Sequence, residues 1–177
     1  MPNMNRSSPA DIRLLLLDVD GVLTDGSIIY SDSGEELKRF HVRDGSGLKL
    51  WQSAGMHAAI LSGRSSPAVD RRAAELGVSP VLQGRSDKLA ALGEILALTD
   101  FTAKQVCAIG DDLQDLPVLN AVGLAIAVAD ACSEVRAAAQ YVTMVPGGHG
   151  AVRDAVEWLL KQKGRWDDVI ARDQPVG

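Results

Sequence analysis

The run Ile12-Arg13-Leu14-Leu15-Leu16-Leu17-Asp18-Val19-Asp20-Gly21 decides how the rest of the chain is read. An aliphatic run without polar alternation is the pattern of a strand buried on both faces, as in a parallel sheet covered by helices. It ends abruptly in two carboxylates and a glycine, and in open α/β sheets the ligand sits beyond the carboxyl ends of the strands. Working outward, apolar segments of strand length alternate with amphipathic segments of helix length. Strands are expected at 57–61, weakly at 80–83, at 106–109, at 124–128 and, at a sheet edge, at 141–143. Directly after the first strand the rhythm changes: Ile28-Ile29-Tyr30, a polar turn Ser31-Asp32-Ser33-Gly34, then 37–42, which reads as a β-hairpin. Helices are expected at 47–54, closed by Gly55, and from Ser66-Pro67 to Leu76-Gly77. Another is capped by Ser86, with Leu89, Leu92, Ile95 and Leu96 on one stripe; further helices contain Pro117 and span 151–161. The expected fold is α/β: one doubly wound, Rossmann-like parallel sheet with helices on both faces and a hairpin inserted at about 27–42. The domain is expected to span 11–163, with residues 1–10 disordered and 164–177 a tail without periodicity.

Composition narrows the function classes. The 177 residues are 46% hydrophobic but only 4% aromatic, so the core must be aliphatic and single. Eighteen Lys+Arg against 23 Asp+Glu give a net charge of −5, which excludes the basic face a nucleic-acid binder needs. Two cysteines, Cys107 and Cys132, make no disulfide framework and fit a reducing, cytoplasmic compartment. The longest aliphatic run is too short to span a bilayer, and no membrane partner is expected. Residues 1–10 carry one arginine and no apolar stretch, so they do not read as a signal peptide.

The strand ends carry the chemistry. Asp18 and Asp20, two residues apart at the end of a buried strand, repel one another unless a cation or a division of proton between them compensates. Gly21 allows a sharp turn there. Alone, Asp-x-Asp-Gly reads equally well as a polar turn. Gly110-Asp111-Asp112-Leu113-Gln114-Asp115 places a second acidic cluster after another apolar strand, and in this fold the two ends lie side by side. Carboxylates converging from separate strands point to a hard divalent cation, and oxygen ligands favour Mg²⁺ over Zn²⁺. Ser62 and Arg64 in Leu61-Ser62-Gly63-Arg64 end a third strand; by themselves they describe a surface turn. Lys88 lies in the first turn of a helix, where the dipole disfavours a cation; by itself it reads as a solvated helix residue. Together with Mg²⁺ these groups form an anion site suited to phosphate oxygens.

At this point the sequence resembles the haloacid dehalogenase superfamily of aspartate-nucleophile phosphohydrolases. The likeness lies in Asp18-x-Asp20, Ser62, Lys88, and Gly110-Asp111-Asp112 with Asp115, in that order. It is closer still to small cap-less members that act on phosphorylated keto-deoxy sugar acids, through segments 17–26, 34–38, 41–45, 110–113 and 147–153, and it covers roughly 12–161. The resemblance implies Asp18 as nucleophile and Asp20 as general acid and then base. It implies Ser62 and Lys88 on the phosphoryl oxygens, and Mg²⁺ held by Asp18, Asp111 and the Asp20 carbonyl. Asp20, Arg43, Asp44, Gly45, Arg64, Arg72 and Lys88 would contact the substrate, the arginines suiting its carboxylate. Arg72 reads equally as an exposed helix residue.

No cap domain fits in this chain. The resemblance therefore implies a homotetramer whose hairpins pack together, with the C-terminal segment as a lid and Gly147-Gly148-His149-Gly150 as its hinge; alternatively that stretch is a plain loop. Ser62 stands where relatives often have threonine, and His149 where close relatives carry a basic residue. The implied activity is hydrolysis of the 8-phosphate of an eight-carbon keto-deoxy sugar acid, in lipopolysaccharide precursor synthesis. The alternatives are a phosphatase of a nine-carbon sialic-acid-like 9-phosphate, and a non-catalytic assembly domain.

Overall fold

A computed structural model describes residues 6–172 of the chain. The strands are β1 (Leu14–Leu17), β2 (Ile29–Tyr30), β3 (Glu36–Leu37), β4 (His57–Leu61), β5 (Val81–Leu82), β6 (Val106–Gly110), β7 (Leu124–Ala127) and β8 (Tyr141–Val142). The helices are α1 (Val42–Ser53), α2 (Pro67–Leu76), α3 (Lys88–Thr99), α4 (Leu116–Ala121), α5 (Ser133–Ala138), α6 (Ala151–Gln162) and α7 (Trp166–Arg172). All four leucines of β1 are buried, each contributing roughly 2 kcal/mol of apolar burial. That run occupies the middle of a six-stranded parallel sheet in the order β5-β4-β1-β6-β7-β8, while β2 and β3 form a separate antiparallel hairpin. From β1 the chain winds outward through β4 to β5, then returns to the other side of β1 and winds outward again through β6, β7 and β8. Strand order therefore reverses between β1 and β6, and ligands of doubly wound sheets bind at such a switch point. The expected fold class is the one observed.

Several local expectations shift, each for a tertiary reason. Helix α1 begins at Val42, five residues before the expected start. His41 caps it, its Nδ1 accepting from the Arg43 N–H at 3.2 Å. The glycines inside α1 cost roughly 1 kcal/mol each in helix propensity, but Gly47 lets α1 lie against α6: a Cβ there would sit 2.8 Å from the Arg153 Cα. Residues 38–41 consequently leave the hairpin ladder, which is shorter than expected. Helix α3 is capped by Asp87, whose carboxylate accepts from the Ala90 N–H at 2.9 Å, rather than by Ser86. Its buried stripe is Lys88, Ala91, Leu92 and Ile95, and Leu89 is exposed. The apolar periodicity is thus displaced by one residue, and a lysine fills the slot nearest the strand ends.

The short helix α5, which buries only Val135, carries too little periodicity to be expected. In the segment expected to be a featureless tail, α7 buries Val169 and lays the Trp166 ring beneath Lys161 and Arg153, at 5.3 and 5.7 Å. Residues 173–177 of that segment lie outside the described residues. So do 1–5 of the segment expected to be disordered, but its residues 6–10 are tied down. The Arg6 guanidinium donates to the Leu119, Val122 and Ala138 carbonyls, and Lys163 donates to those of Pro9, Ala10 and Ile12. Among the described residues no helix is long and apolar enough to cross a membrane.

Candidate active site

Register decides what meets beyond the sheet. Leu17 of β1 is level with Ile109 of β6 and Ile60 of β4, so the next residues, Asp18, Gly110-Asp111 and Leu61-Ser62, emerge together at one edge. Lys88 reaches this edge from the core face of α3. Its ammonium lies 3.0 Å from Asp18 Oδ1 and 2.6 Å from Asp115 Oδ1, and all three side chains are nearly sealed from solvent. Asp115 Oδ2 accepts from the Asp111 N–H at 2.9 Å and, more weakly, from the Asp112 N–H at 3.3 Å. Both of its oxygens are therefore engaged within the protein. Asp111 differs: its Oδ1 is buried without any hydrogen-bond partner.

Carboxylate oxygens of Asp18, Asp111 and Asp115 lie within 4.8 Å of one another. Burial, and then the charge of Asp115, push Asp18 up to about 6 despite the opposing pull of Lys88. Burial, and then Asp18, Asp115 and Asp112, push Asp111 up to about 8. Three clustered carboxylates against one lysine leave uncompensated negative charge, and the unpartnered Asp111 oxygen shows where a counter-charge fits. The donors are all oxygen, which suits Mg²⁺. Asp18 and Asp111 are free to hold it, whereas Asp115 is committed to Lys88 and to two backbone amides.

Both carboxylates are raised in the folded state, so their contribution to stability is largest below the ordinary carboxylate range. It is lost as pH rises through about 6 and then about 8. Mg²⁺ requires the ionised ligands, so its stabilising effect must grow over the same window. In thermal melts with EDTA or with excess Mg²⁺, the Mg²⁺-induced rise in Tm is expected to be about 5 °C at pH 8 and about 1 °C at pH 5. An increment that does not change with pH would place the ion elsewhere.

Two glycines explain the tight loops around this cluster. Gly21 has φ +93°, and a Cβ on it would lie 2.0 Å from Asp111 Oδ2, so any side chain would displace that carboxylate. Gly147 approaches so closely that its Cβ would lie 1.7 Å from the Gly21 carbonyl oxygen. The 147–150 segment is thereby pressed onto the loop that carries Asp20, and the Gly148 N–H donates to the Val22 carbonyl at 2.9 Å.

A small cleft opens onto Asp18 and is lined by Asp20, Ser62, Gly63, Arg64 and Gln114. Ser62 is buried and its Oγ accepts from the Arg64 N–H at 3.3 Å. Asp20 forms an ion pair with Lys38 of the hairpin, and its Oδ2 lies 3.9 Å from Arg64 Nε. The remaining residues expected at the substrate lie elsewhere. Asp44 is buried in the first turn of α1, where its Oδ1 accepts from the Arg153 N–H at 3.0 Å and so caps α6 from across the helix interface. Arg72 lies across Gly45, whose Cβ would be 2.3 Å from Arg72 Nη2. Arg43 lines a separate hollow of about 330 Å³ with Met144, His149 and Arg153. The His149 ring itself contacts the Gly147 carbonyl through Nδ1 at 2.8 Å.

Comparison with known proteins agrees with this geometry. Residues 80–153 match the haloacid dehalogenase-like hydrolase family. The 3-deoxy-D-manno-octulosonate 8-phosphate phosphatase KdsC of Escherichia coli K12 is 45% identical over 158 residues, 89% of this chain and 84% of its own length. Its counterpart in Yersinia pestis is 47% identical over 151 residues, 85% of this chain and 81% of its own. This chain belongs to the KdsC family of haloacid dehalogenase-like hydrolases. Among solved structures, a 3-deoxy-D-manno-octulosonate 8-phosphate phosphatase from Moraxella catarrhalis, in complex with magnesium, phosphate and KDO, superposes with a TM-score of 0.91. It is 43% identical, with 94% of this chain and 96% of the other covered. The cobalt-bound Haemophilus influenzae phosphatase superposes at 0.87 with 41% identity, covering 90% and 94%.

Three residues of this KdsC-family site were not singled out by sequence reasoning. Asp115 stood in a quoted motif without a role, yet its spacing from Asp112 is that of a capping box, and it is one of two carboxylates paired with Lys88. Lys38 and Glu36 lie in a hairpin that looks like surface decoration. Nothing in their spacing indicates that they turn inward toward Asp20.

Proposed function

We propose that this chain hydrolyses 3-deoxy-D-manno-octulosonate 8-phosphate to the free sugar acid and phosphate through a phosphoaspartate on Asp18. What carries the reading is a buried carboxylate, Asp18, set against both Lys88 and the unpartnered oxygen of Asp111. Family membership supplies the substrate, since the relatives bear that name. Asp18 attacks phosphorus while Asp20 gives its proton to the departing sugar oxygen. Asp20 then takes a proton from the water that opens the phosphoaspartate. Lys88 and the Ser62 hydroxyl hold phosphoryl oxygens, and Arg64 stands at the cleft mouth to meet the sugar. Asp18, Asp111 and the Asp20 carbonyl would hold Mg²⁺, which would supply positive charge against the repulsion between the nucleophile and the phosphate dianion.

Within one protomer Arg43, Asp44, Gly45 and Arg72 lie outside the Asp18 cleft; in this reading they meet the substrate bound to a neighbouring subunit of a homotetramer. A homotetramer is supported by the exposed apolar residues of the hairpin, above all the cross-strand pair Ile29 and Leu37. The free thiols of Cys107 and Cys132 support a cytoplasmic setting within lipopolysaccharide precursor synthesis. Phosphate release from a panel of sugar phosphates tests the substrate. The eight-carbon ester is expected to exceed the others by about 100-fold in kcat/KM, and EDTA to abolish release. Equal rates across the panel, a preference for a nine-carbon 9-phosphate, or no turnover with Mg²⁺ would each overturn this assignment.

A further inference from the structure

The hairpin is short and its apolar residues are largely exposed, with Tyr30 64% and Leu37 50% exposed. A surface hairpin has no packing reason to bury a charge, yet the Lys38 side chain is only 4% exposed. Lysines are almost never so buried unless paired. Lys38 is paired twice: to Asp20 Oδ1, and to Glu36 Oε1 at 3.0 Å. Glu36 Oε2 accepts from Arg64 Nη2 at 2.5 Å, and Arg64 Nε faces Asp20 Oδ2 across 3.9 Å. The four side chains form a closed ring of alternating charge that joins the hairpin to the ends of β1 and β4. Burial draws the Lys38 ammonium down, but its bonds to Asp20 and Glu36 outweigh that and hold it above its ordinary value.

The ring distinguishes the two oxygens of Asp20. Oδ1 is occupied by Lys38. Oδ2 lies beyond hydrogen-bond distance of Arg64 and is the oxygen left for a substrate. Lys38 does not line the cleft that Asp20, Ser62 and Arg64 share, so it acts through Asp20.

We propose that Lys38, anchored by Glu36, is a positioning residue that pins Asp20 Oδ1 so that Oδ2 faces the ester oxygen of the substrate. The inference rests on the proposed role of Asp20 as proton donor. In the step concerned an Asp18 oxygen bonds to phosphorus as the P–O ester bond breaks, the electron pair of the broken bond goes to the departing oxygen, and the proton on Asp20 Oδ2 moves to that oxygen; Lys38 keeps its own protons.

Leaving-group dependence tests this, because only a poor leaving group needs the proton. The parameter kcat/KM reports steps up to the first irreversible one, transfer to Asp18, so the later use of Asp20 as base does not enter. With K38M, kcat/KM for an alkyl phosphate that the wild type hydrolyses is expected to fall about 100-fold. For p-nitrophenyl phosphate it should fall less than about 3-fold, because no proton is needed there. K38R should recover part of the alkyl activity. Equal losses on both esters would show a merely structural role, and unchanged alkyl activity would show none; either overturns the proposal. Should K38M not fold, E36Q reads the same alkyl-to-aryl ratio through the second anchor of Lys38. A fall in that ratio of about 5-fold is expected, and an unchanged ratio overturns the proposal. A wild type that hydrolyses the aryl ester but no alkyl ester would instead refute the role given to Asp20, a result separate from any loss in the variants.

Discussion

Asp18→Asn is expected to abolish phosphate release, by about 10⁴-fold or more, while making the metal-free protein more stable at pH 8. The first effect is loss of the proposed nucleophile, which no neighbour replaces: Asp115 is bound to Lys88 and the Asp111 and Asp112 amides, and Asp20 to the hairpin. The second comes from charge. At pH 8 the wild-type carboxylate is ionised although burial and Asp115 oppose it, and the amide removes that penalty. Below about pH 6 the wild-type group is itself protonated, so the stability difference should vanish by pH 5. The variant should also gain less Tm from Mg²⁺, having one fewer anionic ligand. Circular dichroism melts at both pH values and a phosphate-release assay read this directly. An asparagine variant with wild-type turnover would exclude the covalent route.

Lys88→Met should damage both fold and chemistry. The side chain keeps its length and fills the same slot in the buried stripe of α3, but Asp18 and Asp115 lose the cation that faces both of them. Breaking a buried pair in this way costs about 3–5 kcal/mol, a fall in Tm on the order of 10 °C for a chain of this size. Excess Mg²⁺ should recover part of that loss, since it supplies positive charge to Asp18. It should recover little activity, because Lys88 is the side chain proposed to hold the phosphoryl oxygens and an ion on Asp18 does not take its place, and kcat/KM should fall about 10³-fold. A melting temperature within 2 °C of the wild type would show that the pairing is not what compensates the carboxylates.

Much of this was legible in the sequence because it depends on local pattern. The unbroken aliphatic run before Asp18 can only be a strand covered on both faces, and the alternation after it makes the sheet parallel. Once the strands are placed, Asp18, Asp20, Ser62 and Asp111 fall at their carboxyl ends; singly each reads as well as a turn, and the family resemblance supplied the roles expected of them. Helix ends were legible where a cap is one residue's doing, as at Gly77, whose left-handed conformation closes α2.

What the sequence could not show are the contacts made between segments distant along the chain. The phase of α3, which turns Lys88 inward and Leu89 outward, is set by Asp87 as cap and by the two carboxylates waiting at the sheet edge. The early start of α1 depends on Gly47 nesting against Arg153, and the placement of Asp44 on the α6 terminus it caps, more than a hundred residues away. The inward turn of Lys38 depends on Asp20 and on Glu36, held in turn by Arg64 of β4's end. Periodicity reports which side of one element is apolar, whereas a buried charge is placed by its partner, and that partner's position exists only after the chain has folded.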